Sequence, residues 1–160
     1  MSRVEVSPGV DADADRRAFT TAATIATAAE VLLLARHFLN AGGDTSWSDI
    51  VAVALFNGIA LVVGFGLVVP KALRTSPDTA ALAALALAVL SVPVLVVFFF
   101  SGAPFVLGYA AWFLSRTSLV RAAGGWRPRA TEIVGLVVMG LSLLANVVLL
   151  VSAWNPGIPH

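Results

Sequence analysis

Five stretches of the chain, Ala18 to Asn40, Asp49 to Leu73, Thr79 to Phe100, Pro104 to Val120 and Thr131 to Trp154, are apolar over most of their 17 to 25 residues. About 20 apolar residues at about 1.5 Å each cover the ~30 Å hydrocarbon core of a bilayer. Such a run in lipid has to be helical, because an open strand leaves backbone groups unpaired where no water reaches them. The sequence therefore predicts an all-α fold, a polytopic membrane helix bundle of about five transmembrane helices. Composition agrees: 59% of residues are hydrophobic and 12% charged, against roughly 45–50% and about 25% in soluble domains.

Local signals place the helix ends. Ser76, Pro77 and Asp78 offer a cap, a first-turn proline and a carboxylate matched to the helix dipole. Pro104 starts the fourth span, and Glu132 lies in the first turn of the fifth. Gly102 and its neighbours form a link so short that spans three and four must be antiparallel neighbours. Within span four, Arg116 follows the apolar run that ends at Leu114, and an arginine near a helix end can snorkel to the headgroups. The alternative is four spans plus a re-entrant hairpin. Charge asymmetry favours five: Arg3, Arg16, Arg17, Lys71, Arg74, Arg116, Arg121, Arg127 and Arg129 then share one side. That is the distribution of a cytoplasmic face, with the N-terminus inside and the C-terminus outside. Trp47 and Trp154 fall at the outer interface and Trp126 at the inner one.

The domain plan is a disordered cytoplasmic tail over residues 1–17, one transmembrane domain over 18–154 and a short extracytoplasmic tail over 155–160. Asp11, Asp13 and Asp15 alternate as at the start of a calcium loop, but the glycine and distal glutamate of such a loop are missing. Arg16-Arg17 has the look of a twin-arginine signal, yet the apolar run continues through Leu34 and four more spans follow. An uncleaved first helix is the better reading.

A net charge of +1 gives no reason to expect a nucleic-acid partner. With no cysteine and two histidines, neither thiolate chemistry nor a histidine-built metal or haem site is expected, and no cofactor motif is present. The expected partners are the lipid bilayer and a membrane protein or a second copy. Nine arginines against one lysine read as a GC-rich bacterial genome, hence a multi-pass protein of the cell membrane.

An ionisable residue at mid-membrane costs roughly 2.5–3.5 kcal/mol and asks for a reason. Glu30 lies about 18 Å along the axis from Ala18, near the bilayer centre. At about 100° per residue, Thr20, Thr24, Thr27, Glu30 and His37 share a face about 140° wide, which should turn toward the bundle, with Arg36 on the other side. Asn57, Ser91, Tyr109, Ser142 and Asn146 lie at similar depth on the other spans. Pro93 leaves the Val89 carbonyl without a donor, so a kink is expected there. The candidate ligand- or proton-binding residues are accordingly Glu30, His37, Asn57, Tyr109 and Asn146, around a polar cavity opening outward with His37 at its mouth. In the competing structural reading, Glu30 is neutral and hydrogen-bonds Asn57 or Asn146, each such bond being worth about 0.6 kcal/mol.

Ala54 with Gly58, Ala60 with Gly64, and Ala80 with Ala84 and Ala88 are spaced for close helix approach. No internal repeat, phosphate loop, nucleophile elbow or paired carboxylates are found. The function expected first is association with another membrane component or with itself. Next comes an oligomeric proton-linked carrier or channel using Glu30, and last a membrane-embedded enzyme on a lipid-like substrate, with Glu30 as acid or base.

Overall fold

The structure is a computed structural model and describes residues 8–39 and 46–154. Asp44, the segment 1–7 and the segment 155–160 lie outside the described residues. The fold is all-α: α1 Pro8–Leu39, α2 Trp47–Leu61, a π-helical segment Val62–Val68, α3 Val69–Ala72, α4 Pro77–Val97, α5 Ala103–Arg116, α6 Ser118–Ala122 and α7 Arg127–Trp154. Among the described residues four rods, Ala14–His37, Trp47–Ala72, Pro77–Val97 and Arg127–Ser152, are long and apolar enough to cross a membrane. Their outward faces carry Leu32, Leu55, Val96 and Ile133, each more than half exposed. So much apolar surface suits lipid and not water. The chain is a multi-pass membrane bundle.

Neighbouring rods alternate in direction. Phe19 of α1 meets Phe113, near the end of α5, whereas Glu30 lies against Gly102 at its start. α2 runs parallel to α5: Asn57 reaches Gly102, and Gly64 lies against Ala110. α7 is antiparallel to α5, from Arg116–Glu132 through Gly108–Gly135 to Asn146 beside Phe99. One end of the bundle therefore gathers Arg16, Arg17, Lys71, Arg74, Arg116, Arg121, Arg127 and Arg129.

Expectation and structure differ at three places along the chain. α1 begins at Pro8, so ten residues of the expected disordered tail are helical; the proline occupies a first-turn position where its missing N–H is no loss. The fourth expected span appears as a 14-residue helix, α5, which ends where Thr117 turns to extended backbone and α6 begins. At about 21 Å, α5 is too short for the hydrocarbon core, but residues 101–111 are all buried. Protein encloses it, and the bilayer does not set its length. The second span contains the π-helical segment, where the Val69 N–H reaches back five residues to the Gly64 carbonyl. The wide turn precedes Pro70, which has no N–H to continue an α ladder, and it seats Phe65 against Tyr109 and Phe113, with centroids 5.6 and 6.4 Å away.

Caps follow the sequence. Ser46 and Asp49 form a reciprocal capping box on α2, and Ser76 accepts from the Thr79 N–H with Pro77 at the first position of α4. α4 continues through Pro93 to Val97. Gly124 and Gly125, with φ of 67° and 75°, make the left-handed turn into α7 that side chains with a Cβ resist. Of the small-residue pairs, Ala60–Gly64 and Ala80–Ala84–Ala88 face the bundle. Ala54–Gly58 lines an outward groove. α5 and α7 approach closely at Gly108 and Gly135, a pair that the spacing within one helix does not reveal.

Candidate functional site

The α4–α5 turn, residues 98–102, is the hub of a polar layer. Its backbone groups outnumber the bonds a five-residue link can make to itself, and the surrounding helices meet the difference. Ser101 closes the turn locally, its N–H and its hydroxyl donating to the Phe98 carbonyl at 2.9 Å each. Asn57 of α2 accepts from the Gly102 N–H at 3.1 Å. From α7, Asn146 donates to its own helix at Ser142 (2.8 Å) and, at 3.5 Å, to Phe99. The Arg36 guanidinium of α1 donates to the Phe100 carbonyl at 2.8 Å and the Asn146 carbonyl at 3.3 Å. His37 sits half-buried beside it, Nε2 lying 3.2 Å from the Phe100 carbonyl and 2.9 Å from Arg36.

Glu30 is 6% exposed and lies against Gly102. A Cβ on Gly102 would collide with both carboxyl oxygens, so glycine is what allows the carboxyl to approach. Among the described residues neither oxygen has a hydrogen-bond partner. The Asn57 Nδ2, Arg36 Nε, Asn146 Oδ1 and Ser142 Oγ atoms share that condition. Native proteins keep buried polar groups paired in the great majority of cases. Here several unpaired atoms converge on one turn.

The structure thus joins Glu30, His37, Asn57 and Asn146 around the same five residues. It does not bring Tyr109 there. Tyr109 lies seven residues into α5, about 10 Å from Gly102 along the axis, in an aromatic column between Phe105 and Trp112 at 6.0 and 5.7 Å. Ser91 is buried and bonds back to Ala88 in its own helix.

Two expectations for α1 are corrected. Thr20, Thr24 and Thr27 are exposed, each hydroxyl donating to the carbonyl four residues back. A hydroxyl satisfied by its own helix tolerates lipid, and the buried face of α1 is Ala22, Ala26 and Glu30, where alanines permit close packing. Arg36, expected on the opposite side, is 7% exposed and inside the layer. At about 100° per residue it falls about 40° from Ala22, so with the threonines facing outward it belongs to the buried side, and unpaired carbonyls after α4 reward it. A basic residue close in depth to a tight helix–helix link is the signal that could have pointed to Arg36. The direct Glu30 bond to Asn57 or Asn146 of the structural reading is not present among the described residues.

At the opposite end, Arg116 pairs with Glu132 at 2.8 Å and lies over the Trp112 ring at 5.6 Å. Half-exposed, this arrangement anchors the ends of α5 and α7 without enclosing a site.

Fold and site together define a class: a multi-pass helical membrane protein built around a short enclosed helix, with a polar layer at the entrance to that helix. No protein-family model, curated protein or solved structure matches the chain.

Proposed function

We propose that the chain works by association, docking against another membrane component or a second copy of itself rather than transforming a substrate. The observation that carries this reading is the outer surface of α1 and α2. The exposed Thr20, Thr24 and Thr27 line a shallow groove of about 480 Å³ together with Ala23 and Ala28. A second groove, of about 310 Å³, is bordered by Ala54, Gly58 and Val62, and around Gly58 a Cβ would meet nothing within 4 Å. Small residues at helical spacing on a lipid-facing surface let another helix come close, which is how helices associate where lipid removes the hydrophobic drive. We place the protein in the plasma membrane of a bacterium, N-terminus inside, on the strength of the arginine-rich composition and the basic end shared by α1, α3, α6 and the start of α7.

The native absence of cysteine makes a clean test possible. Single cysteines at Thr24 and Gly58 are expected to cross-link in native membranes, to a second copy or to one defined partner, while a cysteine at Leu82, exposed on α4, stays unlinked. Equal behaviour at all three positions, together with a monomer free of partners in mild detergent, refutes the reading.

A further inference from the structure

We propose that the layer around the α4–α5 turn is a hydrated proton-binding site, with Glu30 as the group that takes up and releases the proton. The unpaired atoms of the layer fall into complementary couples. Glu30 and Asn57 both abut Gly102, the one offering free acceptors and the other a free Nδ2 donor. Arg36 and Asn146 are already joined through the Asn146 carbonyl, and each keeps one free atom, a donor Nε and an acceptor Oδ1. A water that accepts from one member and donates to the other completes each couple, as buried waters do where two to four polar partners surround them. Donors and acceptors mixed in this way suit water and protons. A bare metal ion needs oxygen ligands and meets the Arg36 charge instead.

Few charges face Glu30. Arg36 and His37 lie on its own helix. α2 has no ionisable residue between Asp49 and Lys71, α4 none after Asp78, and α7 none after Glu132; α5 presents Tyr109, with Arg116 at its far end. Glu30 and His37 are therefore the groups whose protons change the charge of the layer, and Glu30 is the more deeply buried of the two. The step balances simply: a hydronium ion gives its proton to the Glu30 carboxylate, leaving a neutral carboxyl and a water, and the reverse step returns it. Taking up the proton changes the pair Glu30–Arg36 from neutral to a single positive charge beside the first turn of α5.

The test uses the full chain reconstituted in liposomes. Glutamates occur at positions 5, 30 and 132, so in the E5Q/E132Q chain, labelled with 13C-glutamate, Glu30 is the one labelled carboxyl. Infrared spectra then follow its isotope-shifted C=O stretch from about pH 4 to about pH 10, a range that spans the ordinary titration of carboxyl and imidazole groups. The expected result is a protonated-acid band that disappears reversibly as pH rises and shifts in D2O. A band that stays constant over the range, or that does not exchange with D2O, overturns the proposal and makes Glu30 permanent helix glue. Glu30→Gln should remove the band; the labelled chain still decides the matter if that variant does not insert.

Discussion

The sharpest physical test of the fold is Gly135→Ala. A Cβ at Gly135 would lie 2.7 Å from the Gly108 carbonyl oxygen and 3.0 Å from both the backbone nitrogen and the Cβ of Trp112. Ordinary Cβ contacts begin at 3.4 Å, so α5 and α7 must part by about 0.7 Å, 3.4 minus 2.7. Backbone atoms cannot swing aside as a side-chain tip does. Overpacking at a rigid contact costs about 1–3 kcal/mol. With about 2–4 °C of Tm per kcal/mol for a chain near this size, the detergent-solubilised variant should melt about 2–12 °C lower. Gly140→Ala, in the same helix but with nothing within 4 Å of its Cβ, supplies the control and should hold or slightly raise Tm through better helix propensity. Gly108→Ala, whose nearest contact is 3.1 Å, should fall between them. Tryptophan fluorescence during heating reads all three. Equal melting of the Gly135 and Gly140 variants refutes the close approach.

Gly102→Ala should be destabilised by about 1–3 kcal/mol, because the new Cβ displaces the Glu30 carboxyl. In a Glu30→Ala background the same change should be nearly silent, and a double-mutant cycle with no coupling contradicts the contact. Arg36→Met strips the Phe100 and Asn146 carbonyls of a charged donor; a loss of about 1–3 kcal/mol in denaturant melting is expected, and an unchanged midpoint rejects the buried guanidinium. Arg116→Ala should cost less than about 1 kcal/mol, because its ion pair is half-exposed, and the difference should shrink in high salt.

The long helices were legible because lipid leaves a chain so few ways to satisfy its backbone. Glu30, Asn57 and Asn146 were legible as buried for the same reason: lipid gives an amide or a carboxyl no partner. Threonine carries no such information. Its hydroxyl bonds its own helix, so Thr20, Thr24 and Thr27 face outward without penalty. Arg36 was misplaced along with the threonines: at about 100° per residue it lies about 40° from Ala22, on the buried face, and the polar stripe had turned the wrong side of α1 toward the bundle. The length of α5 escaped because the 20-residue requirement belongs to lipid, and protein surrounds this helix. The Gly108–Gly135 contact joins residues 27 apart in sequence. Nothing in either helix alone announces which face will meet the other.

The placement of Glu30 and Arg36 has its own logic. Asn57 lies ten residues from Trp47 and Asn146 eight from Trp154, so at about 1.5 Å per residue the α4–α5 turn is sunk about 12–15 Å below the ends of its neighbours. A turn at that depth exposes two helix ends to a medium that cannot screen them: the carbonyls after α4, carrying partial negative charge, and the first turn of α5, carrying partial positive charge. α1 meets them in matching order, Arg36 at the carbonyl side and Glu30 at Gly102. α5 has no side-chain cap of its own at Gly102, and the carboxyl beside it comes from another helix. The acid and the base of α1 thus answer to the polarity of a turn in a different part of the chain. An ionised Glu30 balances the charge of Arg36, and in the proposed site a proton on Glu30 is for that reason felt where α4 and α5 join.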